Sequence, residues 1–267
     1  MRVVFVLSFL CLIVLGPAVS AAPRSPFLED LTWTEVRDAL QAGTTTVIIP
    51  VGGTEQSGPH MALGKHNARV KALAGRIADA LGDTLVAPVV AYVPEGAIAP
   101  PTGHMRFPGT ISIPDNAFKS LLDAAGRSLK QAGFTHIVLI GDHGDYQGLL
   151  RDVAAQLNRE WAKTSARAYF IEDYYRVTQT AYVQALRAKG LSDAEIGNHA
   201  GVADTSLLLA VDPDLVRTDR LGSAQNNAAN GVFGDPRAST AALGQIGVDL
   251  IVTQTVAAIR KARLRQH

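Results

Sequence analysis

The chain has 267 residues, 47% apolar and 18% charged, which fits one α/β domain or two small domains and excludes a disordered chain. Because 25 Lys and Arg residues balance 24 Asp and Glu residues, we expect no nucleic-acid partner, whose binding draws on clustered cations. A single cysteine excludes an internal disulfide and any multi-cysteine zinc or iron–sulfur site.

The N-terminus, residues 1–21, has the pattern of a secretory signal peptide. A positive residue precedes the apolar run Val3–Leu15, and small residues at Val19–Ala21 suit signal peptidase. The run is shorter than the roughly 20 residues that span a bilayer, which disfavours a retained anchor. We therefore expect cleavage after Ala21 and a periplasmic or secreted protein with one domain over residues 22–267. No later segment is expected to be long and apolar enough to span a membrane, so no membrane association is expected after cleavage.

The rest of the chain alternates between predicted strands and predicted helices. In chain order these are a helix at Thr32–Ala42, a strand at Thr44–Val51, a helix at Asn67–Leu81, a strand at Thr84–Tyr92, a helix from about Asp115 to Gln131, a strand at Thr135–Ile140, a helix at Tyr146–Trp161, a strand at Ala166–Ile171, a helix around Thr178–Lys189, a short leucine-rich helix after Asp204, and a helix from about Ser239 to Arg260. Pro88 places the second strand at a sheet edge or a bulge. The alternation predicts an α/β fold, with a mostly parallel sheet covered by helices on both faces.

Residue types that bind metals follow two of the predicted strands. Glu55 and His66 lie in the segment after the first strand, while Asp142, His143 and Asp145 follow the third. Ligands of such sheets bind beyond the carboxyl ends of the strands. We therefore expect these side chains to face one crevice.

Four motifs resemble the creatininase (creatinine amidohydrolase) family and occur in the family's order. They are Pro50–His60 (PVGGTEQSGPH), Arg106–Ile113 (RFPGTISI), Ile140–Asp145 (IGDHGD) and His199–Ser206 (HAGVADTS). The resemblance implies a three-layer α/β/α sandwich with a mostly parallel central sheet. It also implies a homo-oligomer, commonly a hexamer in that family, and a metal-dependent amidohydrolase that acts on small non-peptide or cyclic amides.

The resemblance implies two metal ions, but two ligand positions depart from the family pattern. His66 stands where the family has an Asp that bridges the ions, and Ser57 stands where it has a metal-binding His. A neutral imidazole cannot bridge two ions, and a serine hydroxyl is a poor ligand for Zn²⁺ or Mn²⁺. We therefore favour one ion over two, and Zn²⁺ over Mn²⁺. Its predicted ligands are Glu55, His66 and His143, with Asp145 completing the coordination sphere or acting as general base.

The resemblance also points to catalytic residues in the last motif. His199 matches a family histidine that assists proton transfer at the scissile amide, whereas Asn198 stands where the family often has Glu. Asp204 is either a site residue or a cap of the short helix that follows it. Asp145 is similarly either catalytic or the N-cap of the next helix. The candidate catalytic residues are therefore Asp145, His199 and Asp204; His104 is a candidate for the pocket wall, and no organic cofactor is expected.

The sequence thus predicts a metal-dependent hydrolase that cleaves a small non-peptide amide C–N bond by means of a metal-activated water. A second interpretation, motivated by Ser57, His66 and Asn198, is an exported relative that has lost catalysis and serves as a binding or scaffolding protein. A third is a hydrolase for a ring that is not an amide.

Overall fold

The computed structural model describes residues 23–224 and 227–265, and these residues fold around a sheet of four parallel strands. The strands are β1 (Thr46–Val51), β2 (Thr84–Val86), β3 (His136–Gly141) and β4 (Arg167–Phe170), in the order β2-β1-β3-β4. Each neighbouring pair is parallel, and Val51 of β1 lies opposite Gly141 of β3 at the carboxyl edge. The predicted signal peptide lies outside the described residues.

Helices cover both faces of the sheet, in three layers. Within the described ranges they are α1 (Trp33–Gln41), α2 (Lys65–Leu81), α3 (Asp115–Ala132), α4 (Gln147–Glu160), α5 (Asp173–Gln179), α6 (Ala181–Ala188), α7 (Asp193–Ile196), α8 (Val202–Val211) and α9 (Ala241–Leu264). Helices α3 and α4 pack on one face, while α2, α5, α6, α8 and α9 contribute to the core on the other.

The strand residues alternate between these two cores, which explains why each strand is apolar after its first residue. Ile48 and Val138 belong to the core on the α2 side, whereas Val47 and Ile137 belong to the core on the α3 side. Successive side chains of a strand point to opposite faces, and here both faces are buried. The α/β fold with a parallel sheet between helical layers is therefore confirmed.

Two predicted elements differ from the observed ones. Strand β2 ends at Val86 rather than at Tyr92, because Pro88 has no N–H to donate to a strand ladder. The edge position that Pro88 predicted for this strand is confirmed. The helix predicted around residues 178–189 is two helices, α5 and α6, which are separated at Thr180 by a non-helical backbone conformation. Because β2 ends early, the segment between β2 and α3 is long and mostly irregular.

Helix α9 corrects the expectation that no later segment could span a membrane, since its length and apolar composition would suffice. Seven of its residues, from Gly244 to Ile259, are nevertheless buried. At Gly244 a Cβ atom would clash with the carbonyl oxygen of Ser206, so the glycine allows α9 to approach α8 closely. This close packing is that of a core helix in a globular domain.

Candidate metal centre

Three segments that leave the carboxyl edge of the sheet converge on one group of side chains. Glu55 comes from the segment after β1, Glu95 and His104 from the segment after β2, and His143 from the turn after β3. One ligand atom from each of the four lies within 4.8 Å of the others. His104 is half-buried and the other three are buried. Parallel strands thus bring residues that are distant in sequence to one edge.

Local contacts hold each of these segments in place. The hydroxyl of Tyr146 donates to the carbonyl of Val51 at 2.9 Å and accepts from the backbone N–H of His143 at 3.0 Å, which ties the β1 and β3 segments together. The backbone N–H of Glu95 donates to Oγ of Ser112 at 2.9 Å. The backbones of His143 and Glu95 are therefore held by hydrogen bonds that do not use the ligand atoms of their side chains.

Glycine is required beside Glu95. Gly53 has a φ of +154°, and a Cβ atom there would lie 2.5 Å from Oε1 of Glu95. Any other residue would strain the backbone and push that carboxylate away. The glycine therefore makes room for a second carboxylate beside Glu55.

The Oε2 atom of Glu55 faces two imidazoles, next to a second buried carboxylate. The Nε2 atoms of His104 and His143 lie 3.0 and 3.2 Å from it, and Oε2 of Glu95 lies 3.6 Å from Nε2 of His143. Among the described residues, Oε2 of Glu55 and both oxygens of Glu95 are buried with no partner in hydrogen-bond geometry. Buried unpaired oxygens are costly, and a divalent cation would satisfy these atoms together. We call Oε2 of Glu55, Glu95, His104 and His143 the ligand side of the centre.

The pKa values of the two carboxyl groups are shifted in opposite directions. Burial favours a raised pKa for Glu55, but the Lys65 ammonium and the surrounding imidazoles outweigh it and hold the pKa well below its usual value. Burial, followed by the charge of Glu55, raises the pKa of Glu95 to about 10. Two carboxylates this close do not both ionise at neutral pH unless a cation compensates their repulsion. The ligand side therefore fits a divalent ion in charge as well as in donor type.

The other oxygen of Glu55, Oε1, is fully engaged. It lies 2.8 Å from Nε2 of His66 and 3.3 Å from Nζ of Lys65. The second ring nitrogen of His66, Nδ1, lies 2.5 Å from Oδ1 of Asp142. Both nitrogens of His66 thus face carboxylate oxygens, and neither offers a free lone pair in this arrangement.

Asp142 connects His66 to a buried network. It accepts hydrogen bonds from Nε of Arg69 at 2.8 Å and from the hydroxyl of Tyr174 at 2.7 Å, and Nη1 of Arg69 also reaches Oδ1 of Asp204 at 3.0 Å. Burial favours a raised pKa for Asp142, but the Arg69 charge outweighs it, so the pKa is lowered. We call Oε1 of Glu55 with Lys65, His66, Arg69, Asp142 and Asp204 the network side.

The structure separates the four metal ligands predicted from the sequence. Glu55 and His143 lie on the ligand side, while His66 belongs to the network side. Asp145 is exposed at the rim of the adjoining pocket, and its side chain does not cap α4, which begins after Tyr146. Direct binding of an ion by His66 or Asp145 stays a prediction.

His199 and Asp204, the other catalytic candidates, lie on the far wall. Nε2 of His199 lies 3.1 Å from the carbonyl oxygen of Gln56 and 3.2 Å from the side-chain amide nitrogen of the same residue, and its Nδ1 lies 3.9 Å from Oε1 of Glu55. Burial, followed by the Lys65 charge, lowers the pKa of His199 to about 3, so the ring is neutral. Asp204 lies in the first turn of α8 and accepts from the backbone N–H of Ala200 at 3.0 Å. The Asp204 carboxylate also forms ion pairs with Lys65 and Arg69 on α2.

The centre opens into a cavity of about 260 Å³. Its wall is mostly polar and includes His104, His143, Asp145, Tyr175, His199 and Asp204. Binding pockets are typically about 300–1,000 Å³, so this one suits a small substrate.

Glu95 and His104 were not among the predicted ligands, although His104 was a candidate for the pocket wall. Both lie in an irregular segment whose sequence has no periodicity to orient its side chains. A signal was available nonetheless: this segment leaves the carboxyl end of a predicted strand, as do those that carry Glu55 and His143.

Comparisons with known proteins point to one family and one fold. The family model described as creatininase, creatinine amidohydrolase, matches residues 29–259. A mycofactocin precursor peptide peptidase of Mycolicibacterium smegmatis is 31% identical over 228 residues, covering 77% of this chain and 81% of that protein. A creatinine amidohydrolase of Pseudomonas putida is 30% identical over 203 residues, covering 74% of this chain and 76% of that protein. A crystal structure of creatinine amidohydrolase has a TM-score of 0.75 at 25% identity, covering 90% of this chain and 98% of that one. Similar creatininase structures are described as an Mn form and a mutant of Zn–Zn type.

Proposed function

This chain belongs to the creatininase family, and from that premise we propose that it is an exported, metal-dependent hydrolase that cleaves the C–N bond of a small amide. The observation that carries the proposal is the set of buried, unpaired donor atoms on the ligand side. Similar proteins are described as a creatinine amidohydrolase and as a peptide peptidase, and both names indicate amide cleavage.

The proposed ion is held by Glu55, His104 and His143. Two imidazoles and one carboxylate are the ligand count of mononuclear catalytic zinc sites, which supports one Zn²⁺ over two ions and over Mn²⁺. This set shares Glu55 and His143 with the set predicted from the sequence. His66 and Asp145 are the competing ligands, and variants of each side distinguish the two sets.

A divalent ion bound there would polarise a carbonyl oxygen and lower the pKa of a water molecule from 15.7 to about 7. Hydrolysis forms a C–O bond from water and breaks the C–N bond. With the ion compensating the charge of Glu55, Glu95 would be ionised, and its carboxylate, whose oxygens are otherwise unpaired, would accept the proton that water loses and deliver it to the leaving nitrogen. His199, which lines the cavity and whose Nδ1 lies 3.9 Å from Oε1 of Glu55, would contact the substrate nitrogen, and Asp145 lies at the entrance.

The proposal is tested with metal-stripped and Zn²⁺-loaded protein on a panel of lactams, formamides, cyclic ureas and short peptides. We expect hydrolysis of at least one amide that depends on metal and is lost in His104→Ala. The matched control is His136→Ala, at the amino end of β3 and remote from the site. Protein that binds an ion yet cleaves none of these would support the non-catalytic alternative instead.

Export is the second part of the proposal, and it rests on the sequence of residues 1–21. Expression of the full chain followed by fractionation and N-terminal sequencing tests it. We expect the protein outside the cytoplasm with Ala22 as its first residue. Intact chain retained in the cytoplasm or the membrane would contradict this.

A further inference from the structure

Lys65 brings a buried positive charge to the network side of the centre. Its Nζ atom lies 3.3 Å from Oε1 of Glu55 and 3.5 Å from Oδ2 of Asp204, and its side chain is only 1% exposed. Lysine is almost never fully buried unless it is paired, and here two carboxylates from different segments pair with it. The ammonium therefore lies between two anionic groups at the wall of the cavity.

The atoms around this ammonium are of the types that bind metal ions. Besides the two carboxylates, Nε2 of His66 lies 2.8 Å and Nδ1 of His199 lies 3.9 Å from Oε1 of Glu55. Without Lys65, this group would offer the two carboxylates and the imidazole of His199, since both nitrogens of His66 already face carboxylate oxygens. Lys65 occupies the space that a cation would need to bridge Glu55 and Asp204.

We propose that the Lys65 ammonium takes the place of a second divalent ion, so that the centre combines one exchangeable ion with one fixed organic cation. The inference rests on the proposed function, because it assumes an ion on the ligand side. Lys65 also engages Oε1 of Glu55, which leaves only Oε2 for the ion. A second ion beside Oε1 would lie against the ammonium and be repelled by it.

Metal stoichiometry tests this role without relying on activity. The full chain is stripped with a chelator, loaded with excess Zn²⁺ or Mn²⁺ and desalted, and the bound metal is measured by mass spectrometry. We expect one equivalent in the wild type and two in Lys65→Ser, where the short side chain exposes Oε1 of Glu55 and the Asp204 carboxylate to the cavity. The matched control is Lys71→Ser on the exposed face of the same helix, which keeps one equivalent.

The outcomes separate this inference from the proposed function. Two equivalents in the wild type, or one in folded Lys65→Ser, would overturn the role of Lys65 while leaving a metal enzyme in place. No bound ion in the wild type would overturn the proposed function and this inference together.

Electron paramagnetic resonance of the Mn²⁺-loaded wild type tests the same point should Lys65→Ser not fold. The spectrum of an isolated Mn²⁺ ion would support the Lys65 ammonium in place of a second ion. A spin-coupled pair overturns it.

Discussion

The two oxygens of Glu55 face regions built from similar residues but organised differently. The ligand side and the network side each contain carboxylates and imidazoles. On the network side Lys65, His66 and Asp142 each contact an oppositely charged or hydrogen-bonding group, whereas on the ligand side buried oxygens among the described residues are without partners. Residue type alone therefore does not identify a metal site. Unpaired lone pairs that converge on one point favour such a site.

The largest expected effect follows from removing a nitrogen ligand. His104→Ala and His143→Ala should each lower Zn²⁺ affinity by at least about 100-fold, the upper end of what even outer-shell partners cost, and abolish hydrolysis. Isothermal titration of stripped protein measures the affinity. Unchanged Zn²⁺ affinity in both variants would contradict metal binding on the ligand side.

The network side should affect folding more than metal binding. Asp142→Asn removes the negative charge that faces buried Arg69 and His66, and breaking a buried ion pair typically costs about 3–5 kcal/mol. We expect the lower end of that range, because Arg69 keeps its contact with Asp204. Urea denaturation measures the free energy of unfolding, and bound metal is measured on the same samples. A variant with wild-type stability but no metal would reverse the assignment of this side.

His66 is the residue at which the sequence-based and the structural interpretations diverge most. As a positioning residue that contacts Glu55, it should contribute about tenfold to Zn²⁺ affinity, less than His104 does. As a ligand, which the sequence predicted, it should contribute as much as His143. Comparing His66→Ala with His104→Ala in one titration series decides between them.

The smallest effect is expected at a partly exposed ion pair far from the centre, which serves as a baseline. Burial favours a raised pKa for Asp83, but the hydrogen bonds and charge of Arg263 outweigh it, so the pKa is lowered. Its stabilisation is therefore complete above the unfolded-state pKa of about 3.9, and is lost as the pH falls through the lower folded-state pKa. Asp83→Asn should lower the free energy of unfolding by about 0.2–1 kcal/mol at neutral pH. Denaturation curves from pH 7 to pH 2 should show this difference disappearing in acid; a difference that grows in acid would contradict the sign.

Much of the fold is predictable because local patterns carry it. The apolar runs that form β1 and β3 have no polar interruption, and burial on both faces requires this. The end of β2 was harder to place because residues 87–92 remain apolar after Pro88 has ended the ladder. The break between α5 and α6 could not be predicted, because no glycine or proline lies near it in the sequence.

The candidate site was predictable only where a motif follows a strand. Glu55 and His143 come directly after β1 and β3, so the rule for parallel sheets locates them. Glu95 and His104 depend on how a long irregular segment returns to the same edge, which depends on contacts such as that between Glu95 and Ser112. The ion pairs of Lys65 could likewise not be predicted, because its partners Glu55 and Asp204 are far apart in the sequence.

Anomalous X-ray scattering at the zinc edge tests whether one ion binds on the ligand side. A crystal of the Zn²⁺-loaded chain should show a single strong peak bounded by Oε2 of Glu55 and the Nε2 atoms of His104 and His143, with Glu95 beside it. A peak among His66, Asp142 and Asp145, or no peak within reach of Glu55, would show that the ligand side does not hold the ion.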